Sequence, residues 1–196
     1  MSKSVEFFFD LGSPASYLAW TQLPALCAGH AAQLVYRPML LGGVFQATGN
    51  ASPAMVPAKA RYVFADFQRY AKRYGVTLAF PPGFPINTLN LMRGTIAVQL
   101  YQPERFEDYL GAVFPAMWAQ QRNLGDPQVL ASVLQEAGFD PEQYQAWTAD
   151  PEVKAALKEA TEEAVRRGAF GAPTFYVGEQ MFFGQDRLEF VAQALN

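Results

Sequence analysis

The segment DLGSPASYLAW (residues 10–20) contains the first side chain whose position could serve chemistry. An apolar strand pattern ends at Asp10 and a helical pattern begins at Pro14, so Ser13 stands at the N-terminus of the predicted helix. Unpaired amides and the helix dipole stabilise an anion there, and a thiolate is the anion whose pKa they lower most usefully. Ser13 is therefore either a plain N-cap or a residue that assists a thiolate.

The rest of the chain supplies little of what familiar catalytic sites need. Cys27 is the one cysteine and His30 the one histidine of the sequence. This count excludes an internal disulfide and a CxxC redox pair, and it leaves almost no material for a histidine-based triad or a metal site. Cys27 lies among apolar residues near the far end of the predicted helix, a setting typical of an inert core thiol.

Two later segments contain candidate ligand-binding residues. In GAFGAPT (168–174), Pro173 opens a predicted strand. A cis bond before it would offer the backbone of Ala172 to a peptide-like ligand lying alongside. In FFGQDR (182–187), Gln185 and Asp186 lead into the last predicted helix. The free amides there can hold a carboxylate, and Asp186 is either an acceptor for an ammonium group or an ordinary acidic cap.

A third segment, TGNASPAMVPAK (48–59), adds Asn50 from a loop and Lys59 from the start of a helix. A lysine considered by itself is usually a solvated surface charge. Its role therefore depends on what the fold places beside it.

The elements that would position these residues follow an α/β order. We predict strands at 4–10 and 33–40, a loop at 40–50, a hairpin turning at 178–179, and helices at 14–27, within 53–168 and at 186–194. The central block should contain four or more helices, the last capped by Asp150 and ended by Gly168. This order predicts a thioredoxin-like fold with a large all-helical insertion domain, residues 1–48 and 169–196 forming the thioredoxin-like unit and 49–168 the insertion.

The composition limits the kinds of protein that this chain can be. Hydrophobic residues make up 51% and charged residues 17% of the 196 residues, which is typical of a folded globular chain. The net charge of -3 argues against nucleic acid as a partner and favours a small molecule. No run approaches the about 18 apolar residues of a membrane span, and MSKSVEFFFD lacks the features of a secretory signal. We therefore expect a cytoplasmic protein that does not bind membranes.

Taken together, FFFDLGSPASYLA, TGNASPAMVPAK, GAFGAPTFYVG and FFGQDRLEFV resemble the kappa-class glutathione transferases of the DsbA-like group. The resemblance covers the whole chain in order, and within the group it is closest to the glutathione-dependent isomerases of naphthalene breakdown. It implies a thioredoxin fold with a helical insertion, glutathione as cofactor and a homodimer.

The resemblance also implies roles for single residues. Ser13 would sit beside the glutathione sulfur. The residues that would surround the tripeptide are Asn50, Lys59, Ala172, Pro173, Gln185 and Asp186. Two positions depart from the family pattern, because relatives often carry a larger residue at Ala172 and Ser or Asn at Gln185.

The chemistry of that isomerase branch is compatible with these residues. A thiolate that adds to a conjugated double bond makes it single, allows rotation and leaves again. This protein has no suitable thiol of its own, so Ser13 would activate the thiol of glutathione. The substrate would be a small aromatic 2-oxo or hydroxy acid, with PPGFPINT as its lid or as a plain helix connector. Its candidate contacts are Phe84, Pro85, Asn87 and, for the carboxylate, Arg93.

Two other functions remain open at this point. The same activated thiolate would suit a kappa-class transferase or peroxidase acting on other electrophiles. A DsbA-like chain without its cysteine could instead be a peptide-binding protein with no enzymatic activity, in which case Lys59 and Asp186 would be incidental.

Overall fold

A four-stranded sheet forms the centre of the fold in the computed structural model, which describes residues 3–196. Its strands are β1 (Ser4–Phe9), β2 (Gln33–Pro38), β3 (Thr174–Val177) and β4 (Gln180–Phe183), in the order β2-β1-β3-β4. β1 and β2 are parallel, as expected for strands joined by helix α1 (Pro14–Gly29), and the other neighbours are antiparallel. This topology confirms the predicted thioredoxin-like α/β class.

The remaining helices account for most of the chain between β2 and β3. They are α2 (Leu41–Thr48), α3 (Pro57–Tyr74), α4 (Leu89–Tyr101), α5 (Phe106–Trp118), α6 (Pro127–Glu136), α7 (Pro141–Ala149) and α8 (Pro151–Arg166), with α9 (Leu188–Ala194) after β4. Short 3-10 turns lie at Pro53–Met55, Pro103–Arg105 and Gln185–Arg187. Asp150 caps α8 as predicted, because its side chain accepts from the N–H of Glu152 at 2.8 Å. Among residues 3–196, no helix is both long and apolar enough to cross a bilayer.

The prediction of a loop at 40–50 was wrong, because residues 41–48 form α2. Gly42 and Gly43 disfavour a helix by propensity, but packing outweighs that cost here. Val44 is fully buried, and Gly43 lies so close to α8 that an added Cβ would stand 3.1 Å from the methyl group of Thr161. A glycine that seemed to break the helix therefore allows two helices to approach.

The sheet has a buried core on each face. On one face the ring of Phe7 stacks on those of Phe9 and Phe175, at 4.9 and 5.6 Å, and the cluster continues into α1, α4 and α5. On the other face Phe8 packs with residues of α2 and α8, including Val44 and Ala164. The end of β1 is thus held from both sides, and only four residues separate it from the start of α1.

Candidate active site

Ser13 begins α1 and also contacts a distant loop. Its backbone is extended, its Oγ accepts from the N–H of Ser16 at 3.1 Å, and Pro14 takes the first helical position. The same hydroxyl donates to the carbonyl oxygen of Ala172 at 3.2 Å. Ser13 is therefore an N-cap and, in addition, a bridge to the Ala172-Pro173 segment. Only 4% of its surface is exposed.

Asp10 fixes the loop that carries Ser13, a role the sequence reasoning missed. Its carboxylate is 1% exposed and accepts from the N–H of Gly12 and of Leu41, both at 2.8 Å, and from the hydroxyl of Thr88 at 3.0 Å. Burial raises the pKa of Asp10, while the hydrogen bonds from Leu41, Gly12 and Thr88 oppose that rise. Its backbone oxygen also accepts from the N–H of Ser13 at 3.0 Å. One buried carboxylate therefore joins the starts of α2 and α4 to the loop before α1.

The Ala172-Pro173 peptide bond is cis, and the loop before it is held from two sides. Asn50 donates from Nδ2 to the carbonyl oxygen of Phe170 at 2.8 Å, while its Oδ1 accepts from the N–H of Ala51. Ser13 holds the same loop two residues later. The structure thus brings Ser13, Asn50, Ala172 and Pro173 together, although 159 residues separate Ser13 from Ala172 in the chain.

Gln185 and Asp186 lie next to this loop. The N–H of Gly184 donates to the carbonyl oxygen of Pro173 at 3.0 Å. Gln185 is 5% exposed, and its carbonyl oxygen accepts from the hydroxyl of Tyr74 at 2.8 Å. Asp186 forms an ion pair with the neighbouring Arg187, with 2.6 Å between oxygen and nitrogen. An ammonium group bound by Asp186 would therefore share or replace this contact.

Gly184 has a positive φ of 97°, and an added Cβ would stand 2.5 Å from Oδ1 of Asp186. This turn therefore needs glycine to keep Asp186 in its place.

Lys59 is exposed in the first turn of α3, which packs against α1. Within residues 3–196 it forms no ion pair. The fold thus places it on the helix beside α1, with its charge available to an anion.

The four predicted substrate contacts are not brought into one pocket. The ring of Phe84 packs against Trp118 and Phe80, at 5.4 and 5.6 Å between ring centres, so it contributes to the core. Pro85 is exposed after a second cis bond. Asn87 caps the start of α4 by accepting from the N–H of Leu89 at 2.9 Å.

Asn87 and Arg93 line different cavities. Asn87 lies at the edge of a cavity of about 700 Å³ between α4, α6 and α7, whereas Arg93 faces one of about 850 Å³ between α2, α4 and α8. Neither cavity is lined by Ser13. A substrate held by both side chains would therefore have to span two separate openings.

The protein's own thiol is unsuited to chemistry. Cys27 is 3% exposed, and burial raises its pKa to about 11. At neutral pH it is almost entirely protonated, as expected for a core thiol.

Comparisons with known proteins agree with this architecture. Residues 4–196 match the family model of the DSBA-like thioredoxin domain. The chain is 31% identical to 2-hydroxychromene-2-carboxylate isomerase of Sphingobium xenophagum, over 100% of this chain and 99% of the relative. It is 32% identical to glutathione S-transferase kappa 1 of Homo sapiens, over 100% and 92%.

A solved structure of 2-hydroxychromene-2-carboxylate isomerase superposes with a TM-score of 0.87 at 29% identity, covering 98% of this chain and 94% of the other. A probable DsbA oxidoreductase from Streptomyces coelicolor, at 21% identity and a TM-score of 0.76, shares the fold, with coverage of 98% and 88%. The chain therefore belongs to the DSBA-like thioredoxin family, and its relatives there include 2-hydroxychromene-2-carboxylate isomerases and kappa-class glutathione transferases.

Proposed function

We propose that this protein is a glutathione-dependent isomerase that interconverts 2-hydroxychromene-2-carboxylate and trans-o-hydroxybenzylidenepyruvate in aromatic catabolism. The observation that carries the proposal is the meeting of Ser13, at the start of α1, with Ala172 before the cis proline. A homodimer and a cytoplasmic location belong to the same proposal. So does the division into a thioredoxin-like unit and a helical insertion that covers the site.

The residues around Ser13 fit the groups of glutathione. The tripeptide offers one thiol, two carboxylates, one ammonium group and peptide groups. Asp186 provides a carboxylate for the ammonium group, and the first amides of the 3-10 turn at Gln185–Arg187 suit the adjoining carboxylate. Ala172 offers its backbone to the cysteinyl residue, and the exposed ammonium group of Lys59 suits the remaining carboxylate.

When bound, glutathione supplies a thiolate that adds to the conjugated double bond and leaves again, so that the carbon–carbon bond rotates while it is single. The task of Ser13 is to hold that sulfur as an anion. Its hydroxyl would donate to the sulfur, and the N-terminus of α1 would add positive potential.

Ser13 must exchange one hydrogen bond to do this. Its single hydroxyl proton is directed at the carbonyl oxygen of Ala172. A cysteinyl N–H of the ligand that pairs with this oxygen would replace the proton of Ser13 and leave the hydroxyl free for the sulfur. Binding of the ligand's backbone and activation of its thiol are thereby coupled through two residues.

The test is the absorbance change of 2-hydroxychromene-2-carboxylate with purified protein, with and without glutathione. The proposal predicts rapid conversion that requires glutathione, is inhibited by S-methylglutathione and falls by orders of magnitude in Ser13→Ala. No conversion at any glutathione concentration would refute the isomerase assignment.

A second candidate is a glutathione transferase or peroxidase that acts on other electrophiles, since the kappa-class relatives match the chain equally well. Both candidates use the same activated thiolate. Assay of chlorodinitrobenzene beside the chromene separates them: a transferase conjugates the electrophile and leaves the chromene unchanged.

A further inference from the structure

A second cavity, which is positively charged, is not lined by Ser13. It has a volume of about 850 Å³ between α2, α4 and α8, which is within the range of small-molecule sites. We refer to it as the α2/α4/α8 groove, and neither Ser13 nor any other residue predicted to bind the tripeptide lines it. Arg93, predicted above to contact the substrate carboxylate, does line the groove, but the groove shares no residue with those that the proposed function places around glutathione.

The floor of the groove is apolar and fixed by packing. Leu40, Leu89 and Leu157 line it, the first two being half-buried with part of their surface open. The N–H of Leu40 donates to the hydroxyl of Thr161 at 3.0 Å, and that hydroxyl donates to the carbonyl oxygen of Leu157 at 2.7 Å. This chain of bonds attaches α2 to α8, so the floor is preformed.

The charges at the groove are mostly cationic. Arg93 comes from α4 and Lys154, Lys158 and Arg166 from α8, against the single carboxylate of Glu162. This excess of positive charge occurs in a chain whose net charge is -3.

Two of these cations are already balanced. Lys158 lies 3.6 Å from Glu162, and Arg166 lies 2.6 Å from Glu159.

Among residues 3–196, Arg93 and Lys154 have no acidic partner. Arg93 reaches the neutral side chain of Asn90 at 3.5 Å. In the part of the chain that the structure describes, Lys154 forms no ion pair. Two unbalanced cations therefore stand at the rim of a preformed apolar floor.

We propose that the α2/α4/α8 groove binds an organic anion with an apolar body, of the class of aromatic carboxylates. Arg93 and Lys154 pair with the carboxylate, while Leu40, Leu89 and Leu157 contact the ring. A compact anion suits the site better than an extended polyanion, because only two cations are unbalanced and the chain as a whole is acidic.

The test measures binding of 1-naphthoate by calorimetry to the full chain, with the neutral 1-naphthamide as the matched ligand. Each charge-neutralising variant, Arg93→Gln and Lys154→Gln, should weaken 1-naphthoate binding about tenfold. The amide should bind the wild type more weakly than the acid by a similar factor. Lys72→Gln, an exposed cation on α3, is the matched control and should leave the affinity unchanged.

A steric variant tests the position of the ligand separately from charge. Ala47 is exposed on α2 and lines the groove, so Ala47→Trp should fill it and abolish binding without disturbing the core. Circular dichroism would show that each variant is folded.

Three outcomes would overturn the proposal. The first is an absence of 1-naphthoate binding to the wild type. The second is binding that resists all three groove variants and is displaced by S-methylglutathione, which would place the ligand near Ser13. The third is a dimer in sedimentation velocity that dissociates in Ala47→Trp, which would identify the groove as a contact between two copies of this chain.

Discussion

The hydroxyl of Ser13 donates to the carbonyl oxygen of Ala172 across 3.2 Å, and the Oγ atom of Ser13 also caps α1 by accepting from the N–H of Ser16. The side chain thus stabilises the fold and, in the proposed function, activates a thiol. Because a hydroxyl has one proton, its bonds to Ala172 and to a thiolate exclude each other.

The structural part of this role predicts a stability change. Ser13→Ala removes the helix cap and the bond to Ala172 and should lower the free energy of unfolding by about 1–2 kcal/mol in urea titrations. Ser52→Ala is the matched control, because Ser52 caps only a short surface turn, and it should cost less than about 0.5 kcal/mol. Equal losses in the two variants would contradict the bridging role of Ser13.

Replacement of the Asp10 carboxylate should lower the free energy of unfolding by more than Ser13→Ala does. Asp10→Asn turns one acceptor oxygen into a donor that faces either the N–H of Gly12 or both the N–H of Leu41 and the hydroxyl of Thr88. It should cost about 3 kcal/mol in urea unfolding. Thr88→Val removes a single donor and should cost about 1 kcal/mol. Thr148→Val, which removes a single bond within α7, is the control. An Asp10→Asn protein as stable as wild type would show that the buried carboxylate does not join these elements.

Asp10 also illustrates what sequence patterns can and cannot reveal. The strands, α1 and α8 were predicted correctly, because short apolar runs, caps and terminal glycines are local signals. The acceptor role of Asp10 depends on residues 31 and 78 positions away, and no local pattern encodes such contacts. Likewise, the segment 40–50 was predicted to be a loop, because the packing of Gly43 against Thr161 depends on a distant part of the chain that no local pattern reveals.

The predicted substrate contacts failed to converge for the same reason. Phe84, Pro85, Asn87 and Arg93 are neighbours in sequence, but α4 starts between them and directs them to different surroundings. Ser13, Asn50 and Ala172 do lie together. They could be named from the sequence because the resemblance that identified them covers the whole chain.

The ion pairs of Glu6 should make the free energy of unfolding depend on pH. Its pKa is lowered from 4.5, mainly by the hydrogen bond from Arg167 and further by Arg37. Because the pKa of Glu6 is lowered, its carboxylate stabilises the folded state above pH 4.5. This stabilisation is lost as the pH falls through the lower folded-state pKa. At neutral pH, Glu6→Gln should therefore cost about 2 kcal/mol, and the difference from wild type should shrink below pH 4.5.

Thermal unfolding at several pH values checks this prediction. Glu159→Gln breaks an ion pair that is largely exposed to solvent and should have little effect at any pH. A Glu6→Gln difference that is independent of pH would contradict the assignment to the carboxylate charge.

Cys27 should be chemically silent in the native protein. With a pKa of about 11 and a buried side chain, it should react with a thiol reagent at neutral pH only after denaturant is added. Cys27→Ala should retain wild-type turnover of the chromene. Rapid labelling of the native thiol, or loss of turnover in a folded Cys27→Ala protein, would mean that this sulfur takes part in chemistry.

The central claim is that Ser13 holds the thiol of glutathione as a thiolate. The measurement that tests it most directly is the pKa of that thiol in the binary complex, from the ultraviolet absorbance of the thiolate during a pH titration of wild type and Ser13→Ala. We predict a pKa lowered in the wild-type complex and raised by about one unit or more in Ser13→Ala, with the pH–rate profile shifted to higher pH by the same amount. The same bound-thiol pKa in both proteins, each saturated with glutathione, would contradict the claim.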